Sequence, residues 1–168
     1  MKQGSSILKK INSEYLNFLK KFRSLHLSSI GENGHPVCSY APFVKDDKRQ
    51  FYIYVSNLAA HTKNLMIDGR AGIMFIEPEE QAENIFARKR VTFECVVELV
   101  PRDTEDWQKI MTLFDQLDGE LMQTLRSLSD FQLIRLIPLS GRFVKGFGKA
   151  YHISGAGMDQ LSHINPGR

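Results

Sequence analysis

The first hydrophobic pattern along the chain has the period of a helix. From Ser5 to Arg23, apolar side chains recur three or four positions apart, which places them on one face of a helix. These side chains are Ile7, Ile11, Tyr15, Phe18, Leu19 and Phe22. The intervening lysines fall largely off that face and predict a solvated surface, although a surface for an acidic partner would have the same pattern.

The pattern then changes to the two-residue period of strands. Residues 25–31 alternate apolar and polar, residues 32–35 have the composition of a hairpin turn, and Pro36 to Val44 continues as a strand. A second turn, Asp46 to Arg49, returns the chain into Phe51 to Val55. The first third of the chain is therefore predicted to be a helix followed by a three-strand meander.

Helices and strands alternate in the remainder. A short helix, Ala59 to Asp68, ends at Gly69, a residue suited to the left-handed exit of a helix. A long helix has Asp103 or Thr104 as its cap, and its apolar stripe predicts core packing or a dimer contact. That stripe comprises Trp107, Ile110, Met111, Phe114, Leu117, Leu121, Leu125 and Leu128. The predicted strands are 71–76, 91–100, 131–137 and 142–153.

Two segments between these elements carry specific expectations. Pro138 to Gly141 is predicted as the turn that joins the last two strands, and Gly146 and Gly148 are expected to allow tight curvature inside the final strand. Glu77 to Ala87 is predicted as an acidic helical or irregular excursion.

These elements predict a single domain that is mainly β with some α. Six or seven antiparallel strands with helices packed outside indicate a small barrel. The predicted organisation of residues 1–168 is an N-terminal helix at 1–24, a barrel with inserted helices at 25–153 and a C-terminal tail at 154–168.

Composition narrows the class of partner. A net charge of +3 among 168 residues is too small to indicate nucleic-acid binding and suits an anionic small molecule. Since no apolar run approaches ~20 residues and no signal-peptide pattern is present, we expect a cytoplasmic protein with no membrane contact. Cys38 and Cys95 lie in strand-like runs and are predicted to be buried free thiols.

The junction between the third strand and the short helix is a candidate anion site. Ser56 forms the corner, and His61 and Lys63 lie in the first turn of the helix, where unpaired N–H groups carry positive partial charge. The alternative is that these residues only cap and solvate the junction.

A run of three cations, Arg88 to Arg90, precedes the strand 91–100. Within a strand, Arg88 and Arg90 would share one face and could grip a phosphate or a propionate. The alternative is that they solvate a strand end beside the acidic segment Glu77 to Glu80.

Motifs for hydrolysis and nucleotide binding are absent: the chain has no GxSxG elbow, no HExxH, no Walker pattern and no Rossmann glycines. The basic corner, the scattered histidines and the aromatic strands are typical of a protein that holds a planar anionic cofactor.

Five motifs in order resemble the split-barrel flavin-binding proteins of the pyridoxamine 5′-phosphate oxidase type, and within them the HutZ/HugZ haem-utilisation proteins. They are Ser39–Val44, His61–Leu65, Phe86–Arg90, Asp130-Phe131 and Phe143–Tyr151. The resemblance covers nearly the whole chain. It implies a split-barrel homodimer with cofactor sites at the subunit interface.

The corner separates haem from FMN within this resemblance. In flavin-binding relatives this corner resembles a Ser-x-Lys arrangement whose Lys helps to bind the FMN phosphate. The corresponding positions here look like Ala59 and His61. Haem is therefore the expected cofactor. FMN is the alternative, with Lys63, Arg88 and Arg90 supplying charge, and the function would then be that of an FMN-dependent oxidoreductase.

The haem-utilisation relatives open the haem macrocycle with O₂ and electrons, and a haem carrier without this activity is a third possibility. The resemblance implies that Asp130 hydrogen-bonds the ligand histidine and that Arg90 lies near bound haem. A tail histidine ligates the iron in those relatives, which have Gly-His where this chain has Gly167-Arg168. His163 in a shifted register is the candidate ligand; the alternatives are that another histidine serves or that this chain has lost the ligand. The electron donor is unknown.

Overall fold

The computed structural model describes residues 2–164, with side chains placed from residue 6 onward. Its helices are α1 (Lys2–Leu19), α2 (Ala60–Asp68) and α3 (Glu105–Ser127). Its strands are β1 (Ser24–Ile30), β2 (Pro36–Pro42), β3 (Val44–Lys45), β4 (Phe51–Ser56), β5 (Arg70–Ile76), β6 (Arg90–Val100), β7 (Phe131–Val144), β8 (Ala150–Ser154) and β9 (Gln160–His163). Short 3₁₀ turns occupy Glu79–Gln81 and Ile85–Ala87, in the predicted excursion.

All strands belong to one antiparallel sheet in the order β2-β1-β5-β6-β7-β4-β3. Strand β7 branches: its first half pairs with β4, its second half pairs with β8, and β9 follows β8. The branch curls the sheet around a core, as predicted, although the described chain has nine strands rather than six or seven. The additional strands include the two-residue β3, at the end of the predicted strand Pro36 to Val44, and β9, in the segment that the sequence predicts as the C-terminal tail.

The predicted turn at Pro138 to Gly141 is wrong, because β7 runs through it without a break. The pairing with β6 shifts between Glu94 and Cys95, which leaves Leu139 unpaired in a bulge. A bulge tolerates Pro138 because it interrupts the hydrogen-bond ladder. At Gly141 a Cβ atom would lie 2.5 Å from the Phe93 ring, so only glycine permits this approach.

The real turn of this hairpin is at Gly146 and Gly148, not inside a strand as predicted. Both glycines have positive φ, 153° and 64° respectively, so each takes a backbone conformation that other residues rarely adopt. The final predicted strand, 142–153, is therefore divided between β7 and β8.

The inner face of the sheet packs against α1 through aromatic side chains. Tyr15 and Phe18 of the helix contact Phe143, with ring centroids 5.9 and 6.2 Å apart. The predicted stripe is confirmed for its central residues, whereas Ile7 is 59% exposed. Of the two thiols, Cys95 is buried as predicted, but Cys38 is exposed because it points to the outer face.

A second core lies between α3 and strands β4 and β7. The Thr104 side chain caps α3 by accepting from the Trp107 N–H, which confirms the predicted start. The sequence did not predict the kink at Asp118, after which Leu121 is 49% exposed. None of the helices in residues 2–164 is both long and apolar enough to cross a bilayer.

Candidate functional site

The corner between β4 and α2 is tied to the start of β7. The Ser56 hydroxyl donates to Asp130 Oδ2 at 2.5 Å and accepts from the Leu58 N–H at 3.0 Å. The Asn57 N–H donates to the Asp130 carbonyl at 2.8 Å, and the Thr62 hydroxyl donates to the Ser56 carbonyl at 2.7 Å. The structure thus brings Ser56 and Asp130 together, and the serine hydroxyl is engaged in the corner itself.

His61 lies at the start of α2 with its ring half-buried. Its Nε2 is buried and has no hydrogen-bond partner among the described residues. Burial lowers the pKa of His61, because desolvation disfavours the charged form. A neutral imidazole with one uncommitted nitrogen is therefore present at the corner.

Lys63 does not add a free charge to the corner. Its Nζ lies 2.6 Å from Glu32 Oε1 in the β1–β2 turn, and both side chains are 62% exposed. Ala59, at the N-cap of α2, offers no side-chain hydrogen bond. The start of α2 consequently has backbone N–H groups and a neutral ring, with a cation that is already paired.

Arg88 precedes β6, which begins at Arg90, so the two residues do not share a strand face as the sequence predicted. The Arg88 guanidinium donates to the Glu77 carbonyl and lies 3.1 Å from Glu79 Oε1. The acidic excursion therefore pairs with Arg88, which was the alternative interpretation. Arg90 is half-buried and donates to the Arg88 carbonyl at 3.0 Å.

His163 is in β9, opposite Tyr151 of β8. The two rings are in a T-shaped contact with centroids 5.2 Å apart, and His163 Nε2 lies 2.9 Å from the Gly148 carbonyl oxygen. Because a carbonyl oxygen only accepts, His163 Nε2 is the donor in this hydrogen bond. Gly167 and Arg168 are outside the described residues.

The candidate residues form two groups at opposite ends of β7. We call Ser56, His61, Lys63 and Asp130 the corner cluster, and Arg88, Arg90 and His163 the strand-end cluster. Asp130 directly precedes β7. At the other end of β7, Arg90 pairs with Val144, and His163 is aligned through Tyr151 with Phe143. The strand path between these ends is about 40 Å at 3.3 Å per residue. One subunit therefore does not place Asp130 beside His163.

The outer face of the sheet carries candidate functional residues that the sequence patterns do not indicate. Seven strands in register present one row of side chains on this face. The row is Tyr40, His26, Met74, Thr92, Arg142, His152 and Ser162. We call the surface around this row the open face.

The open face is concave and partly encloses a cavity of about 710 Å³. The lining of this cavity includes His26, Cys38, Arg142 and His152. In residues 6–164, the side chains of His26, Arg142 and His152 have no hydrogen bond or ion pair. Glu94, the one acidic residue in the lining, accepts from the Ser140 hydroxyl at 3.2 Å. A cationic, imidazole-bearing cavity suits an anionic planar ligand. The polar alternation of β1 and β6 was visible in the sequence, but the register that aligns it was not.

This fold and these clusters define a class of protein. Residues 11–145 match the family model of pyridoxamine 5′-phosphate oxidase, so the chain belongs to that family. The chain is 37% identical over 158 residues to the haem oxygenase HutZ of Vibrio cholerae serotype O1 (strain ATCC 39315 / El Tor Inaba N16961), an overlap of 94% of this chain and 89% of HutZ. The resemblance drawn from the sequence motifs is confirmed.

Solved structures support the same assignment. The crystal structure of HutZ, the haem storage protein from Vibrio cholerae, superposes with a TM-score of 0.75 and 34% identity, over 80% of this chain and 94% of that one. Campylobacter jejuni ChuZ superposes with a TM-score of 0.82 and 33% identity, over 94% of this chain and 63% of ChuZ. The predicted split-barrel fold is therefore confirmed.

Proposed function

We propose that this protein binds haem and degrades it for iron utilisation, as an oxidoreductase that uses O₂ and external electrons. The observation that carries the proposal is the open face, where imidazoles and a guanidinium that have no partner among residues 6–164 line one concave cavity. The relationship to HutZ, a haem oxygenase, supports the same function. We further propose that the protein acts in the cytoplasm and does not bind nucleic acid.

The donor set fits haem. The described residues contain no group of three His, Cys, Asp or Glu side chains that could hold a metal ion by themselves. Haem iron is already held by its macrocycle and needs only one or two protein ligands. Guanidiniums such as those of Arg90 and Arg142 suit carboxylates like the propionates, and the unpartnered His61 Nε2 is a buried polar atom that a ligand would satisfy.

We assign distinct roles to the chain's own residues. When bound, haem supplies the redox chemistry. Ser56 donates to one carboxylate oxygen of Asp130 and so fixes the orientation of that carboxylate. Asp130 can then accept the ring N–H of a ligand imidazole, taking the place of the Gly148 carbonyl that His163 Nε2 contacts in the single subunit; this fixes the tautomer and strengthens the imidazole as an electron donor. His163 is the proposed ligand, and Arg90 is the proposed propionate partner.

These roles require two subunits. Because Asp130 and His163 lie at opposite ends of β7, we propose a homodimer in which the corner cluster of one subunit meets the strand-end cluster of its partner. A two-fold axis pairs a surface with itself, and the open face is the candidate surface. Tyr40 on this face is 69% exposed and Leu139, at its bulge, is 61% exposed.

An FMN-dependent oxidoreductase is the second candidate, because the family includes pyridoxamine 5′-phosphate oxidase. The corner offers little to a phosphate, since Ala59 has no donor and Lys63 and Arg88 are paired with acidic residues. A haem carrier without catalysis is the third candidate, and its donor set would be the same.

Titration of the purified protein with ferric haem, and separately with FMN, tests the proposal. We expect a Soret band that saturates at about one haem per subunit and no tight FMN binding. Ascorbate and O₂ should then bleach the Soret band and release iron. Saturable FMN binding without haem binding would contradict the proposal, and haem binding without ring opening would indicate a carrier.

Sedimentation or light scattering tests the dimer. Arg142→Glu reverses a charge in the middle of the open face and should shift the dimer toward monomer, whereas Lys109→Glu, at an exposed site on α3 that does not line the cavity, is the matched control. An unchanged mass for Arg142→Glu would place the interface elsewhere.

A further inference from the structure

The segment between β8 and β9 is held against the barrel by two distant side chains. Arg49, in the β3–β4 turn, donates to the Gly157 carbonyl and lies 3.8 Å from Asp159 Oδ2. Tyr15 of α1 donates its hydroxyl to the Met158 carbonyl at 3.1 Å. We call this arrangement the tail clamp.

The tail clamp is buried at Tyr15 and Met158 and partly exposed at Arg49 and Asp159, and it contains an unfavourable backbone. Tyr15 is fully buried and Met158 is 6% exposed. Arg49 has a φ of 62° and Met158 a φ of 47°, and they are two of the three non-glycine residues with positive φ in the described part of the chain. Left-handed backbone is unfavourable for such residues, and it persists where surrounding contacts determine it. One of these two residues, Arg49, lies in the β3–β4 turn, and the other, Met158, lies in the segment that the tail clamp joins to it.

The clamped segment determines how β9 meets β8. Gly155, with a φ of 88°, begins the reversal, and the pairing resumes between Ser154 and Gln160 and continues to Tyr151 and His163. A slip of one residue in a strand moves every side chain to the opposite face. The direction of the His163 ring therefore depends on the conformation of the reversal.

We propose that Arg49 and Tyr15 are positioning residues that set the register of β9 and so hold His163 beside the Gly148 carbonyl in the strand-end cluster. This inference rests on the proposed function for the role of His163 as ligand. It assigns to the β3–β4 turn and to α1 a task that their packing alone does not require.

Hydrogen exchange of the ligand-free protein tests the clamp. Arg49→Ala and the nearly isosteric Tyr15→Phe should each accelerate exchange of the β9 amides by about tenfold, as expected for the loss of one hydrogen bond. Arg49→Lys should restore part of the protection because it retains a cation. Arg70→Ala, which removes an exposed guanidinium paired with Asp68, is the control and should leave β9 unchanged.

The haem-loaded protein supplies the second readout. In the Arg49→Ala and Tyr15→Phe variants, the Soret band should shift in the same direction as in His163→Ala, with partial recovery in Arg49→Lys. Unchanged β9 exchange in both variants would overturn the clamp. Faster exchange with an unchanged Soret band would overturn the positioning role.

These outcomes are separable from failure of the proposed function. If the wild-type protein binds no haem, the proposed function and the ligand role fail, while the exchange of β9 still decides whether the clamp exists. If Arg49→Ala lowers the global melting temperature strongly, Tyr15→Phe decides the result, because it keeps the buried ring and removes only the hydroxyl.

Discussion

The two ends of β7 are held by different kinds of interaction. The corner cluster is held by short hydrogen bonds among neutral groups and one carboxylate, and it contains a half-buried imidazole whose pKa is lowered by burial. The strand-end region is held by charge pairs between separate elements, such as Glu14 of α1 with Lys89 and Lys145. Hydrogen bonds with defined direction orient groups, whereas ion pairs constrain geometry less, and two lysines around the one Glu14 carboxylate leave a net positive charge. The corner is therefore suited to orientation and the strand end to attraction of an anion.

The largest effect should come from Asp130→Ala, which removes the acceptor of the corner. Losing the hydrogen bond from Ser56 to a carboxylate should lower the free energy of unfolding by about 1–3 kcal/mol. Haem-degrading activity should fall by about 10- to 100-fold, as for other groups that orient a metal ligand. Chemical denaturation and single-turnover absorbance measure the two effects. Ser56→Ala is the matched control, since it should share most of the stability loss with a smaller activity loss; equal activity losses would remove the distinction.

Glu14→Gln should have an intermediate effect confined to the strand end. Burial raises the pKa of Glu14, but hydrogen bonds and charge from Lys145 and Lys89 outweigh it and lower the pKa below the ordinary value. A lowered carboxyl pKa contributes stability that is present above the ordinary pKa and is lost as pH falls through the folded value. We expect Glu14→Gln to cost about 1 kcal/mol at pH 7 and to flatten the acid limb of stability below about pH 4.5.

Melting curves from pH 3 to pH 7 check this expectation. The difference in melting temperature between Glu14→Gln and wild type should become smaller as pH falls. A constant difference across the range would show that the carboxylate charge contributes nothing.

His61 should also make stability depend on pH, but for a different reason from Glu14: burial disfavours the charged form of His61. Its pKa is lowered by burial, so the unfolded chain binds a proton more readily than the folded one, and stability falls as pH drops below the ordinary value of about 6.5. His61→Gln should remove this decline as pH falls below about 6.5. Melting temperatures of wild type and His61→Gln in that window test it. A decline of equal slope in both proteins would assign the dependence to other groups.

The smallest effect should come from Lys63→Ala. Its ion pair with Glu32 is exposed, so the free energy of unfolding should change by less than about 0.5 kcal/mol, and less still in 1 M salt. Denaturation at two salt concentrations measures this. A loss comparable to that of Asp130→Ala would show that the corner depends on charge after all.

Local patterns were readable from the sequence, and long-range register was not. The stripe of α1 and the Thr104 cap of α3 follow from spacing within a few residues. Pro138 was misread as a turn because its tolerance depends on a bulge that only the pairing with β6 creates. The open face was missed for the same reason, since Arg142 and His26 share a row only through three intervening strand pairings.

The candidate site shows the same division. Ser56 and His61 were found because they adjoin one turn, whereas their contact with Asp130 joins residues far apart in the chain. Arg88 was misassigned to the strand because the boundary of β6 depends on Glu77 capturing its guanidinium. The position of His163 depends on β9, which polar sequence alone did not indicate.

The branching of β7 also has a consequence for the order in which the strands pair during folding. Its pairing with β8 closes a short loop, while its pairing with β4 joins Phe51 to Leu136 across a long stretch of chain. Closing the longer loop costs more entropy and generally comes later in folding. We therefore expect newly made protein to complete the strand end before the corner. Pulse-labelled hydrogen exchange during refolding should show β8 amides protected before those of β4, so a nascent chain would have its charged end ready while its orienting end is still unformed.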